Sequence, residues 1–108
     1  MFIGVCEIAV VIPGAKSLKQ KRSAIRKVIQ RTQSKFQLSI AEVDQQDVWQ
    51  RGTLGFAVVG NEHGLIQRRV SKIVEHIEQL FVVSILDVNS TVMSYKPTLD
   101  ERSGFRFE

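Results

Sequence analysis

The chain has little of the chemistry that staples small domains. One cysteine, Cys6, stands in 108 residues. It cannot form an internal disulfide, and a reducing compartment is the simpler setting. Cys6 lies in an apolar run, where a cysteine behaves as a small buried hydrophobe, and no neighbour in sequence would activate it. Two prolines and seven glycines leave few breaks, so order is expected up to the last dozen residues. No stretch approaches the roughly 18 apolar residues of a membrane-crossing helix. The apolar start lacks a basic leader and is interrupted by Glu7, which argues against a secretory signal. These absences point to a cytoplasmic protein with no membrane partner.

Catalytic constellations are scarce as well. His63 and His76 fall on different faces of one expected helix, with no second ligand at metal spacing. Gly52 and Gly55 precede a strand rather than a helix and make no phosphate loop. Glu42 and Asp44 share strand parity, yet paired carboxylates on a strand edge are more often solvated than catalytic. No nucleophile, base and orienting group stand in a defensible pattern, although such sets assemble in space rather than in sequence. Binding is therefore favoured over catalysis, and no metal or cofactor is expected.

What is present is a lopsided charge. Residues 1–40 carry eight bases and one acid, a net +7, while residues 41–108 carry seven bases and ten acids, a net −3. No acid lies between Glu7 and Glu42. One strongly positive segment in a globular chain suits polyanions; the plainer reading is a solvated face that aids solubility.

Apolar patterning organises the rest. Met1 to Ile12 is rich in Val and Ile at both parities, as in a central strand. Pro13-Gly14 ends it with a turn. Ser17 and Gln20 form a capping box, and Leu18, Ile25, Val28, Ile29, Thr32 and Phe36 share one helical face to about Gln33–Lys35. Leu38–Val43 reads as a short strand, Asp44 to Asp47 as a turn, and Arg51 or Thr53 to Gly60 as a third strand. Asn61 is the expected cap of a helix with stripe Ile66, Val70, Ile73, Val74 and Ile77. Val82–Tyr95 forms the last strand, with room for a bulge. Residues 1–95 make one domain and residues 96–108 a flexible tail. The order βαββαβ predicts an α+β, ferredoxin-like domain: a four-stranded antiparallel sheet in the order 4-1-3-2 with both helices on one face. The opposite face stays partly apolar, which fits a homodimer formed by face or by edge strand, unless Phe105 and Phe107 of the tail cover it.

This topology puts the start of the first helix and the loop between the second and third strands on one rim. The helix supplies Lys16, Lys19, Lys21, Arg22, Arg26, Lys27, Arg31 and Lys35 as candidate phosphate contacts. Bases beside a helix N-terminus favour anions, whereas a purely stabilising pattern would place acids there. The loop supplies Asp44, Gln45, Gln46, Asp47, Trp49, Gln50 and Arg51. Trp49 could stack on a base, the amides read base edges and Arg51 clamp a phosphate. The alternative makes Trp49 a lid on the core and Asp47 a turn cap.

Pro13-Gly14-Ala15-Lys16-Ser17-Leu18-Lys19-Gln20-Lys21-Arg22, then Ala41-Glu42-Val43-Asp44 and Gln46-Asp47-Val48-Trp49-Gln50-Arg51, resemble the YlxP-like family of small bacterial proteins. Leu54-Gly55 and Ile85-Leu86-Asp87-Val88 agree, and the likeness spans roughly residues 1–95. It implies a ferredoxin-like fold, a bacterial cytoplasmic protein, and a gene setting beside translation-initiation and ribosome-maturation factors. It implies no established activity. A histidine common before the Gln-Asp pair is here Gln45, which argues against acid–base chemistry in the loop. The leading expectation is a non-catalytic accessory factor for ribosomal RNA; the alternative is a homo-oligomeric regulatory module for a small anionic ligand.

Overall fold

The computed structural model describes residues 1–97. Six elements follow in the expected order: β1 (Phe2–Val11), α1 (Leu18–Phe36), β2 (Ile40–Asp44), β3 (Arg51–Gly60), α2 (His63–Gln79) and β4 (Ser84–Ser94). The sheet order is β2-β3-β1-β4, all antiparallel, which is the predicted order read from the other edge.

Strand alternation assigns the faces. Cys6, Ile8 and Val10 of β1 lie opposite Phe56, Leu54 and Gly52 of β3 and point under the helices. Ile25 and Val28 of α1 meet them, as do Ile66, Val70, Ile73 and Ile77 of α2, in one buried core. Full burial of one such side chain contributes roughly 1.5–3 kcal/mol. The buried residues of α1 are Lys21, Ile25, Val28 and Thr32, and those of α2 are Ile66, Val70, Ile73 and Ile77. Both sets follow the same four-three-four spacing.

Some details depart from expectation. α1 ends at Phe36, one residue past the expected range, and closes on Gln37 in the left-handed region (φ 52°), whose N–H donates to Gln33 O. Glu62, not Asn61, sits at the N-cap of α2, without a side-chain cap bond. β2 begins at Ile40, two residues late, and is irregular at Val43. The bulge in β4 falls at Leu86, between the pairs Ala9–Asp87 and Val10–Ile85. Among the described residues no helix is long and apolar enough to cross a membrane. Most of the predicted tail, including Phe105 and Phe107, lies outside the described residues.

Candidate functional site

The rim is built as the topology requires. β1 and β3 end and begin together, with Val11 opposite Arg51. Past the sheet, Ile12 N donates to Gln50 O at 2.9 Å. The chain then turns through Pro13 and Gly14, the latter at φ 76°, a value glycine adopts without steric cost. At the start of α1, Ser17 Oγ accepts from Gln20 N at 3.1 Å. The reciprocal bond reaches one residue further back than a capping box requires, with Lys16 N donating to Gln20 Oε1 at 2.7 Å.

Lys21 ties this helix to the loop. Its side chain is wholly buried; Nζ donates to Gln45 O at 2.7 Å and Gln46 O at 3.2 Å and forms an ion pair with Glu42. An ammonium out of water needs such partners. Gly52 makes the room: a Cβ there would sit 2.9 Å from Glu42 Oε2 and 3.6 Å from Lys21 Cε. The loop adds its own bonds. Asp44 Oδ1 accepts from Gln45 N at 2.7 Å, Gln45 takes φ 60°, Gln46 Nε2 donates to Glu42 O at 3.4 Å, and Val48 N donates to Gln45 O at 3.1 Å.

Lys21 is thus removed from the set of phosphate contacts, because its charge is spent inside the protein. A signal for this is present in the sequence: Leu18, Lys21, Ile25 and Val28 follow the three-four-three spacing of a buried stripe. Lys16, Lys19, Arg22, Arg26, Lys27, Arg31 and Lys35 are all exposed. Lys21–Glu42 is the one salt bridge among the described residues, so these seven cations have no acidic partner there. Arg51 is exposed at the first position of β3. Trp49 is 44% exposed and does not serve as a core lid. Asp47 and Gln50 are exposed, and the turn cap expected of Asp47 comes from Asp44.

The protonation shifts lie away from the rim. Burial, and secondarily the Glu7 carboxylate, push the Cys6 thiol up to about 11, so little reactive thiolate exists near neutrality. His76 packs edge-on against Phe36 at 5.3 Å. Burial first, and the nearby Lys35 charge second, hold it below its ordinary 6.5. Among the described residues no group of three or more His, Cys, Asp or Glu side chains is placed to hold a metal ion.

Residues 3–90 match the family described as "Protein of unknown function (DUF503)". The chain belongs to that family. It is 34% identical over 76 residues to the uncharacterized protein YlxP of Bacillus subtilis (strain 168), covering 70% of this chain and 83% of that protein. Its fold is similar to the crystal structure of an acylphosphatase from Bacillus subtilis, with TM-score 0.50, 15% identity and 91% of each chain covered. A putative antibiotic biosynthesis monooxygenase from Deinococcus radiodurans superposes at TM-score 0.48 and 13% identity, over 93% of this chain and 97% of that one. At these identities the acylphosphatase likeness concerns the ferredoxin-like fold alone, and the DUF503 assignment brings no activity with it. The rim of this DUF503 chain must be read from its own residues.

Proposed function

We propose that the protein is a non-catalytic RNA-binding accessory factor whose contact surface is the outer side of α1 with the rim beside it. One observation carries the reading: seven exposed cations line α1 and its approach, and no acid among the described residues pairs with any of them. Nineteen helical residues span roughly 28 Å, enough to follow several consecutive phosphates. Lys19, Arg22 and Arg26 form one flank, Lys27, Arg31 and Lys35 the other. Arg51 and the exposed indole of Trp49 stand at the end nearest Lys16 and Lys19, where stacking on an unpaired base adds to phosphate contact. The gene setting implied by the YlxP-like resemblance makes ribosomal RNA the first substrate to try, in a cytoplasmic setting.

The test is a salt titration of binding to structured RNA by fluorescence anisotropy. The plot of log affinity against log salt should fall steeply. Replacing Lys19, Arg22 and Arg26 together by Ala should flatten that slope by about 2–3, since each lost phosphate contact removes nearly one released counterion. No binding at low salt, or a slope unchanged in the triple variant, would overturn the proposal. Thermal stabilisation by a phosphorylated metabolite, without RNA affinity, would instead favour a small-anion module using the same rim.

A further inference from the structure

The sheet face turned away from the helices is covered by no element among the described residues. Val59 there is 62% exposed, Val43 48% and Met93 45%. Ala41 and Ala57 are exposed between them. A contiguous apolar sheet face in water is costly and marks a contact surface.

Val5 stands on the central strand as a ridge between two hollows. One hollow, of about 350 Å³, is floored by Ala41, Gly55 and Ala57 and bounded by Val43. The other, of about 320 Å³, is bounded by Asn89, Thr91 and Met93. The small floor residues allow a second sheet to approach to the ~10 Å usual for stacked sheets. Glu7 borders both hollows.

We infer that this face is the interface of a homodimer in which a second copy stacks sheet on sheet, each Val5 ridge entering a hollow of the other. The extent suits that partner. β1, β3 and β4, each roughly 33–36 Å long, and the shorter β2, roughly 17 Å, spaced ~4.8 Å apart, present about 570 Å². Two copies then bury about 1,100 Å², above the ~1,000 Å² that a biological interface should clear and at the small end of specific interfaces, and a two-fold contact demands one patch that complements itself. The arrangement turns both helical layers outward and leaves the α1 surface of each copy free.

Sedimentation equilibrium of the full chain should give a dimer. Val43→Asp with Val59→Asp should give a monomer with unchanged far-UV circular dichroism, whereas Leu65→Asp, at an exposed apolar position on α2, should leave the dimer intact. A protection measurement covers the case in which the double variant fails to fold. Cys6 is buried, so Ala57→Cys introduces the reactive thiol; its reaction with DTNB should slow as protein concentration rises, while Leu65→Cys stays fast throughout. A monomeric wild type, a dimer indifferent to both Val substitutions, or protection of Ala57→Cys independent of concentration would overturn the inference. So would dimerisation seen only after removal of residues 98–108, which would make the chain's own end the cover of this face.

Discussion

The two helices have the same structural duty and different chemistry. α1 and α2 lie on one face of one sheet and bury four residues each at identical spacing, Lys21-Ile25-Val28-Thr32 against Ile66-Val70-Ile73-Ile77. α2 fills every position with an aliphatic side chain. Its remaining surface mixes Arg68, Arg69 and Lys72 with Glu75 and Glu78, and Glu62 sits at its N-cap, where a negative charge complements the helix dipole. α1 puts a lysine and a threonine at the ends of its stripe and carries no acid in nineteen residues. α2 shows that covering this sheet requires neither feature. The polar start of the α1 stripe has another cause, since Lys21 and Glu42 fix the neighbouring loop, and the uniform charge of its exposed bases is the feature on which the proposed anion contact rests.

The largest effect should come from making α1 resemble α2 inside. Lys21→Met should cost about 3–5 kcal/mol in urea unfolding, because it strands the Glu42 carboxylate and two loop carbonyls. Adding Glu42→Gln should recover much of that loss. A Lys21→Met cost below 1 kcal/mol would show that the ammonium holds nothing. The aliphatic counterpart, Ile66→Ala, should cost about 2–5 kcal/mol through a cavity, with no second-site rescue.

Next come the glycines. Gly52→Ala should cost about 1–3 kcal/mol, since its Cβ meets the Glu42 carboxylate at 2.9 Å. Gly64→Ala, in the first turn of α2, meets nothing nearer than the mobile Arg68 guanidinium at 3.4 Å and should stabilise by about 0.4–1 kcal/mol. Equal responses would remove the claim that Gly52 exists to house the ion pair.

A smaller effect lies on the seam between the helices. His76 of α2 packs on Phe36 of α1, and its pKa is lowered in the fold. Protonation then favours the unfolded chain, so stability should decline as pH falls through 6.5 and below. His76→Gln should flatten that part of the profile. The Cys6 thiol, raised to about 11, works at the other end: the unfolded chain releases its proton near 9, so stability should fall from pH 9 toward 11. Smallest of all should be Thr32→Val. Thr32 Oγ1 donates at 2.7 Å to Val28 O in its own helix, so the near-isosteric exchange should stay within about 1 kcal/mol.

The architecture was legible because each element repeats its signal. Two apolar stripes of matching spacing, and strands that alternate or run apolar at both parities, leave few topologies once crossover handedness is imposed. The meeting of the loop with the start of α1 followed from that topology. Positions decided by single contacts were not legible. Asn61 has better capping chemistry than Glu62, yet the chain enters α2 one residue later. Counting charges treats Lys21 like its neighbours, although the stripe spacing singles it out; only the fold places Glu42 and the Gln45 and Gln46 carbonyls at its end. The exposure of Trp49 depends on a loop conformation that no periodicity encodes.

At the corner opposite the rim, β1 and β4 close on each other: Tyr95 N donates to Met1 O at 2.7 Å, and Met1 N to Tyr95 O at 3.4 Å. The two ends of the sheet domain are thus already neighbours, and a short peptide bridge would make the backbone a ring. A ring can be opened elsewhere. Circular permutants cut between Leu80 and Val83 would keep the Lys21 tether intact, whereas a cut at Gln46 would sever the segment it grips. The relative folding of those two permutants would report whether the loop is organised by chain continuity or by the buried ammonium.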